Sequence, residues 1–205
     1  MTEREMVPAR SPRGLEPTRT AIKVLRCASS WHGGAHTWDL PTERPDGAWT
    51  PGAWTPSVTP SLCSTGYHLT QDPVAWWGDG AGVVAYLTEY EGTVGGPLPS
   101  STDDPTNLAV ERCRLLRPLT HAELEAHGIY LTGEHDARGR SRIFASGSAT
   151  VRASGSATVR ASGSATVEAY DSATVEASGS ATVRAYDSAT VEAYDSATVR
   201  ASGSA

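Results

Sequence analysis

The sequence predicts a small α+β head domain followed by an all-β solenoid, a parallel β-helix of octapeptide repeats. Three observations predict it. From Ala145 onward the alphabet shrinks to Ala, Ser, Gly, Thr, Val, Tyr, Asp, Arg and Glu. Seven full octads then follow one another, from ASGSATVR at Ala145, before a last ASGSA. Inside each octad apolar and polar residues alternate, the pattern of a strand with one buried face. A helix would spread such a set around its whole circumference. The hydrophobic content of 39% therefore averages two unlike halves, since every Trp, Cys, His, Lys and Pro lies before residue 136.

Residues 1–19 carry charges and three prolines but no apolar run, so they read as a disordered leader and not a Sec signal. Residues 20–135 form the head. Ala21 to Cys27 predicts a strand, and 28–60 is Trp-, Gly- and Pro-rich without periodicity. Asp72-Pro73 opens a short helix, with Asp as N-cap and Pro in the first turn. Gly82 to Glu91 and Asn107 to Leu119 are strands, with a loop from Gly95 to Pro105. Thr120 and Glu123 make a capping box for a helix that Gly128 ends. Residues 136–142 are a polar linker. Ile143 and Phe144 plug the first coil.

The solenoid spans 143–205. Its inward residues are small: Ile143, then Ala149, Val151, Ala157, Val159, Ala165, Val167, Ala173, Val175, Ala181, Val183, Ala189, Val191, Ala197 and Val199, with the Ala that opens each octad. The corners fall at Gly147, Gly155, Gly163, Asp171, Gly179, Asp187, Asp195 and Gly203, residue types that tolerate positive φ. One octad extends only about 26 Å, too little to encircle a core. Two octads make a 16-residue coil with two facing sheets, and small side chains fill that thin sandwich better than a triangular lumen. At about 4.8 Å per coil the rod is about 18 Å long. Tyr always precedes Asp, as in Tyr170-Asp171, and Ser always precedes Gly. The array stops at Ala205 without a polar cap, which points to a longer array or to self-association through an open end.

In the head, Trp38-Asp-Leu-Pro41, Pro51-Gly-Ala-Trp54, Leu62-Cys63-Ser-Thr-Gly66-Tyr-His68, Trp76-Trp77, Glu89-Tyr-Glu91-Gly92 and Arg112-Cys-Arg114 occur in that order. This string resembles a family of small proteins carried by actinobacterial phages and their hosts. There a Trp/Pro-Gly-Trp segment precedes a Cys-x-x-Gly-x-His motif. The resemblance covers about residues 20–119 and implies no particular activity. The tail resembles octapeptide-repeat β-solenoid arrays.

Three chemistries are open to the head's residues. Cys27, His32, His36, Cys63 and His68 include ligand types from which zinc could take four. No Cys-x2-Cys knuckle accompanies them, and a buried Cys63 beside a hydrogen-bonded His68 is the plainer account. Cys63 and His68 are also a nucleophile–base pair in principle, but a third orienting group is missing. Finally, Gly66-Tyr-His-Leu-Thr70 before Asp72-Pro-Val-Ala-Trp76 is similar to the strand–helix step of ADP-ribosyltransferase-like folds. That resemblance would make Glu89 or Glu91 the catalytic carboxylate, but no upstream His or Arg completes it. The six tryptophans offer a sugar-stacking platform or an ordinary core.

The net charge of -6 gives no general attraction for nucleic acid. No apolar run is long enough to span a membrane. No cofactor is expected. The reading is a structural or interaction protein rather than an enzyme, cytoplasmic or virion-associated. Its rod displays or spaces the head, or self-assembles, as a phage or bacterial fibre or scaffold component. Two alternatives are an enzyme or sensor head with the solenoid as spacer, and an ice-binding solenoid built on ladders of Thr150, Thr158 and Thr166.

Overall fold

The computed structural model describes residues 19–30, 36–61, 65–78, 82–95, 106–139 and 142–205. The head is mostly strand. Strands β1 (Arg19–Arg26), β4 (Tyr67–Leu69), β5 (Val83–Gly95) and β6 (Leu108–Pro118) form one antiparallel sheet in the order β1-β5-β6-β4. Between β1 and β4 the chain makes a small antiparallel pair, β2 (Thr42–Glu43) with β3 (Trp49–Thr50). The sheet curls until its outer strands meet, where Ile22 and Thr70 exchange backbone hydrogen bonds of 2.8 and 2.9 Å. Register shifts in the β5–β6 pairing, at Leu87/Thr88 and Glu91/Val94, bend the strands toward that closure.

Alternation along β1 feeds two cores. Ala21 and Leu25 pack with Leu69, Tyr86, Val110, Cys113 and Leu115, so all four strands line this interior. Ile22 and Val24 face the other way, onto Val74, Trp77, Ala85, Leu124, Ile129 and Phe144.

The capping box forms as the sequence predicts. In α1 (His121–Ala126) the Glu123 N–H donates to Thr120 Oγ1 at 3.3 Å and the Thr120 N–H donates to Glu123 Oε2 at 2.8 Å. Arg117 grips the same carboxylate with two 2.7 Å bonds, which hold the Glu123 carboxyl down at about 2. The helix expected at Asp72 is a single 3-10 turn, Pro73–Trp76, and the Asp72 side chain caps nothing. Its carboxylate pairs instead with Arg142 at 3.6 Å. The α+β head thus holds one six-residue α-helix among its described residues.

The tail is a parallel β-solenoid. One sheet stacks β7 (Ile129–Tyr130), β9 (Ile143–Ala145), β11 (Thr158–Ala161), β13 (Thr174–Ala177) and β15 (Thr190–Ala193). The other stacks β8 (Glu134–Arg138), β10 (Thr150–Ser154), β12 (Thr166–Ala169), β14 (Thr182–Ala185) and β16 (Thr198–Ala201). Val151 pairs with Val167 and Val167 with Val183, so each residue meets its equivalent 16 positions on. Two octads therefore make one coil, and β9 to β16 make about four coils. Val151, Val159, Val167, Val175 and Val183 are all 0% exposed between the sheets, with Ala149 and Ala153 beside them. Along the last coil the cover thins, and Val199 on the edge strand β16 is 38% exposed.

The corners turn through the left-handed region. Gly147 has φ 59°, and a Cβ there would sit 2.5 Å from the Leu131 carbonyl oxygen, so only glycine fits. Asp171, Asp187 and Asp195 adopt the same turn at φ 56°, 58° and 55°. Their carboxylates compensate the strain. Asp171 Oδ2 accepts from the Gly155 N–H at 2.9 Å, one coil back, and Asp195 Oδ2 from the Gly179 N–H at 3.2 Å. Asp171→Gly should lose that bond, about 1 kcal/mol, but shed the left-handed strain that Asp already carries, for little net change. Asp171→Ala should lose the bond and keep the strain, for a loss of about 1 kcal/mol. Urea unfolding followed by far-UV circular dichroism separates the two, and equal losses would contradict the strain argument.

Two expectations are corrected. The segment 136–142 is not a free linker, because β8 runs through it to Arg138 and pairs with Thr150–Ser154. Its Asp136 and Arg138 point outward while Ala137 is buried, so a polar sequence still has one apolar face. The plug is also different. Tyr130 and His135 stack at 4.0 Å at the head end of the solenoid. Ile143 joins the solenoid core, whereas Phe144 points the opposite way, into the head. Successive strand residues face opposite sides, so the pair cannot plug one space together.

Candidate functional site

The feature that joins the two halves is β9. Its three residues are all buried, but in different cores. Ile143 and Ala145 face the solenoid interior. Phe144 is 2% exposed and packs in the head, with its ring centroid 6.4 Å from that of Trp77. The Phe144 N–H donates to the Gly128 carbonyl at 2.9 Å, directly after the helix. Leu124 of α1 and Ile129 of β7 complete the packing. One strand is thus a wall of both cores.

The candidate catalytic residues do not converge. Glu89 and Glu91 lie on the same face of β5, two residues apart. Each faces an arginine of β6 in register: Arg114 binds Glu89 at 2.7 Å, and Arg112 binds Glu91. Both guanidinium groups flank the Trp54 ring, at 5.0 Å for Arg112 and 4.9 Å for Arg114. This is a cross-strand charge ladder clasping an indole. His68 stands on β4, with β6 between it and β5. The step that resembles ADP-ribosyltransferase-like folds is a three-residue strand followed by a 3-10 turn.

Of the metal candidates, His32 and Cys63 lie outside the described residues. Cys27 is exposed in the turn that ends β1, at φ 48°. The His36 ring contacts Trp38 and Tyr67 edge-on at 4.9 and 5.2 Å. Among the described residues no three His, Cys, Asp or Glu side chains form a metal-sized group.

Among the tryptophans, Trp31 lies outside the described residues, and Trp38 and Trp77 are core residues at 6% and 5% exposure. Gly-Ala-Trp-Thr-Pro occurs twice, from Gly47 and from Gly52, and the two copies are not equivalent. The first enters β3, and the second runs beside β6, with the Gly52 N–H donating to Leu115 and the Thr55 N–H to Cys113.

On the solenoid the Thr rows stand in register, Thr150 beside Thr166 beside Thr182. A row of charge runs next to them, Arg152 to Glu168 at 3.1 Å and Arg184 to Glu168 at 3.2 Å. Hydrogen bonds from Arg152, the largest influence, and from Tyr170 and Arg184 hold the Glu168 carboxyl below its usual range. Such pairs hydrate the face and favour the parallel register.

One charged group was not singled out from sequence. Lys23 is 8% exposed, inside the curled sheet. Its Nζ donates to the His68 carbonyl at 2.9 Å and lies 5.1 Å from the Trp38 ring centroid. The signal was present: Lys23 shares the parity of Ala21 and Leu25 in an apolar strand. Burial lowers Lys23 to about 8, with Cys113 opposing that shift. Burial likewise pushes the Cys113 thiol up to about 12, against the attraction of Lys23.

These shifts set a pH signature. Below about 8 both folded and unfolded states hold the Lys23 proton, and the folded state bears the whole cost of burying it. Between there and about 10.4 only the unfolded state stays protonated, so stability rises with pH. Cys113 acts oppositely. Above about 8.5 the unfolded thiol ionises while the folded one keeps its proton, and stability falls. Cys113→Ala should therefore show a rise approaching about 3 kcal/mol across this window. The unsubstituted chain should level off near pH 9, roughly where the two effects balance. Lys23→Met should abolish the rise. Urea titrations read by Trp fluorescence check this, and a flat Cys113→Ala profile would refute the burial of a charged Lys23.

No protein-family model, curated protein or solved structure matches this chain. Among the described residues no helix is long and apolar enough to cross a membrane.

Proposed function

We propose that the protein is a structural display element, a β-solenoid rod that carries the small head rigidly at one end. The observation that carries this reading is the shared strand β9, with Ile143 in one core and Phe144 in the other. A flexible tether would let the two halves move independently, whereas a strand common to both cores fixes the head against the rod. Such an arrangement suits a fibre or scaffold component, of phage or bacterial origin, whose rods associate through the edges of β15 and β16. The charge ladder on the rod keeps its broad faces hydrated and leaves the coil edges as the surface able to continue the sheets.

The test is twofold. Backbone NMR relaxation should give head and rod one common tumbling time, and an independently tumbling head would refute rigid display. Negative-stain images should show rods or filaments at rising concentration, and compact monomers throughout would remove end-to-end association. An enzymatic head draws no support from Glu89 and Glu91, because both are engaged in ion pairs on a solid sheet face.

A further inference from the structure

One corner column of the solenoid is an aromatic ladder with a missing rung. Sixteen-residue coils place Arg138, Ser154, Tyr170 and Tyr186 one above the other. Tyr170 and Tyr186 stack with centroids 4.9 Å apart and planes 9° from parallel. The next rung holds only Ser154, and Arg138 stands one coil beyond. Tyr170 and Arg138 are thus two coils apart, about 9.6 Å. That interval admits one flat ring between them at the spacing the two tyrosines already use. A groove of about 500 Å³ opens there, lined by Asp136, Arg138, Arg152, Ser154, Tyr170 and Asp171 among others.

The neighbouring rung shows which polar end such a ring needs. Tyr170 lies back along its strand, and its hydroxyl donates to Glu168 Oε2 at 3.3 Å. At the Ser154 rung the residue equivalent to Glu168 is Arg152. A donor suits Glu168, so an acceptor suits Arg152. The Arg152 side chain is 68% exposed and spends its Nε–H on Glu168, with the rest of its donor fork available to a ligand. Arg138 adds a second guanidinium. Of the carboxylates, Asp171 and Asp187 each direct an oxygen at a backbone N–H, of Gly155 and Asp171 respectively. Asp136 lies across from Arg152 in register.

We propose that this groove binds a planar aromatic carboxylate. The ring occupies the Ser154 rung against the Tyr170 face, and the carboxylate meets Arg152 and Arg138. This assignment is independent of the display role.

The probe is benzoate, titrated into the full chain and followed by NMR at the Arg152 Nε–H and the Tyr170 ring. Cyclohexanecarboxylate is the comparison, with the same charge but no flat face. Benzoate should bind saturably, and the saturated acid about tenfold more weakly, the worth of an aromatic stack. The double variant Ser154→Tyr/Gly155→Asp fills the rung with the Tyr-Asp corner that the next two coils already carry, so the fold accommodates it. It should abolish benzoate binding, and Tyr170→Ser should weaken it about tenfold. Absence of saturable shifts, equal binding of the two acids, or undiminished binding in the filled-rung variant would each overturn the proposal.

Discussion

Val167→Asp should destroy the middle of the solenoid. Val167 is 0% exposed and sits between Val151 and Val183 in its own sheet, within a core made of the Ala and Val side chains of both sheets. No donor faces that space. An ionised carboxylate there would be unpaired, and a protonated one would still lack a hydrogen-bond partner. Each coil depends on its neighbours, so the damage spreads along the stack. The loss should exceed about 4 kcal/mol, the range reserved for buried unpaired charge. Far-UV circular dichroism should show the β signal of the tail collapsing without denaturant. Val199→Asp is the matched comparison, because Val199 is 38% exposed on the edge strand β16. Its effect should stay within about 1 kcal/mol. Equal effects at the two sites would show that the core is not the closed apolar sandwich described.

Phe144→Ala should uncouple the head from the rod. The side chain is 2% exposed, and its removal leaves a cavity beside Trp77, Val74 and Leu124. Phe-to-Ala changes of this kind cost about 3–5 kcal/mol. The cost should fall on the head. All six tryptophans lie at or before residue 77, so Trp fluorescence reports the head while far-UV circular dichroism is weighted by both halves. The fluorescence midpoint in urea should drop and separate from the dichroism midpoint. Ile143→Ala, one residue earlier, should do the reverse. It should lose about 2–4 kcal/mol from the solenoid and leave the Trp transition nearly in place. A Phe144→Ala effect confined to the solenoid would overturn the assignment of β9 to two cores.

The contrast between these neighbours shows how far the chain could be read without coordinates. Strict alternation from Ala145 identified strands, and the small inward set of Ala and Val pointed to two facing sheets with two octads per coil. Both inferences rest on local periodicity repeated seven times, which averages out exceptions. The coil built from Ile129 to Arg138 escaped that logic. Glu134-His135-Asp136-Ala137-Arg138-Gly139 follows the outline of Thr150-Val151-Arg152-Ala153-Ser154-Gly155, but only Ala137 and Gly139 keep the residue type. Its His135 fills a Val position because Tyr130 stacks on it, a contact between residues of different strands. The head was less legible for the same reason. The capping box at Thr120 and Glu123 is local and was readable. The meeting of Ile22 with Thr70 is not, because 48 residues separate the two partners. Lys23 could be placed on an apolar face, but its partner is the His68 carbonyl, which no side-chain pattern announces.

The sequence by itself determined the repeat, the strand period, the glycine and aspartate corners and the change of architecture near residue 143. Each of these is a property of residues close along the chain, where φ preference and side-chain parity act directly. Only the tertiary structure decided that the head sheet closes on itself, that the candidate carboxylates are tied into ion pairs, and that β9 belongs to two cores at once. It also decided that Tyr170 and Tyr186 stack while Ser154 leaves the next rung open. Those outcomes depend on which surfaces meet after the chain has turned many times. Burial and charge pairing act between residues that are distant along the chain and adjacent only in the fold.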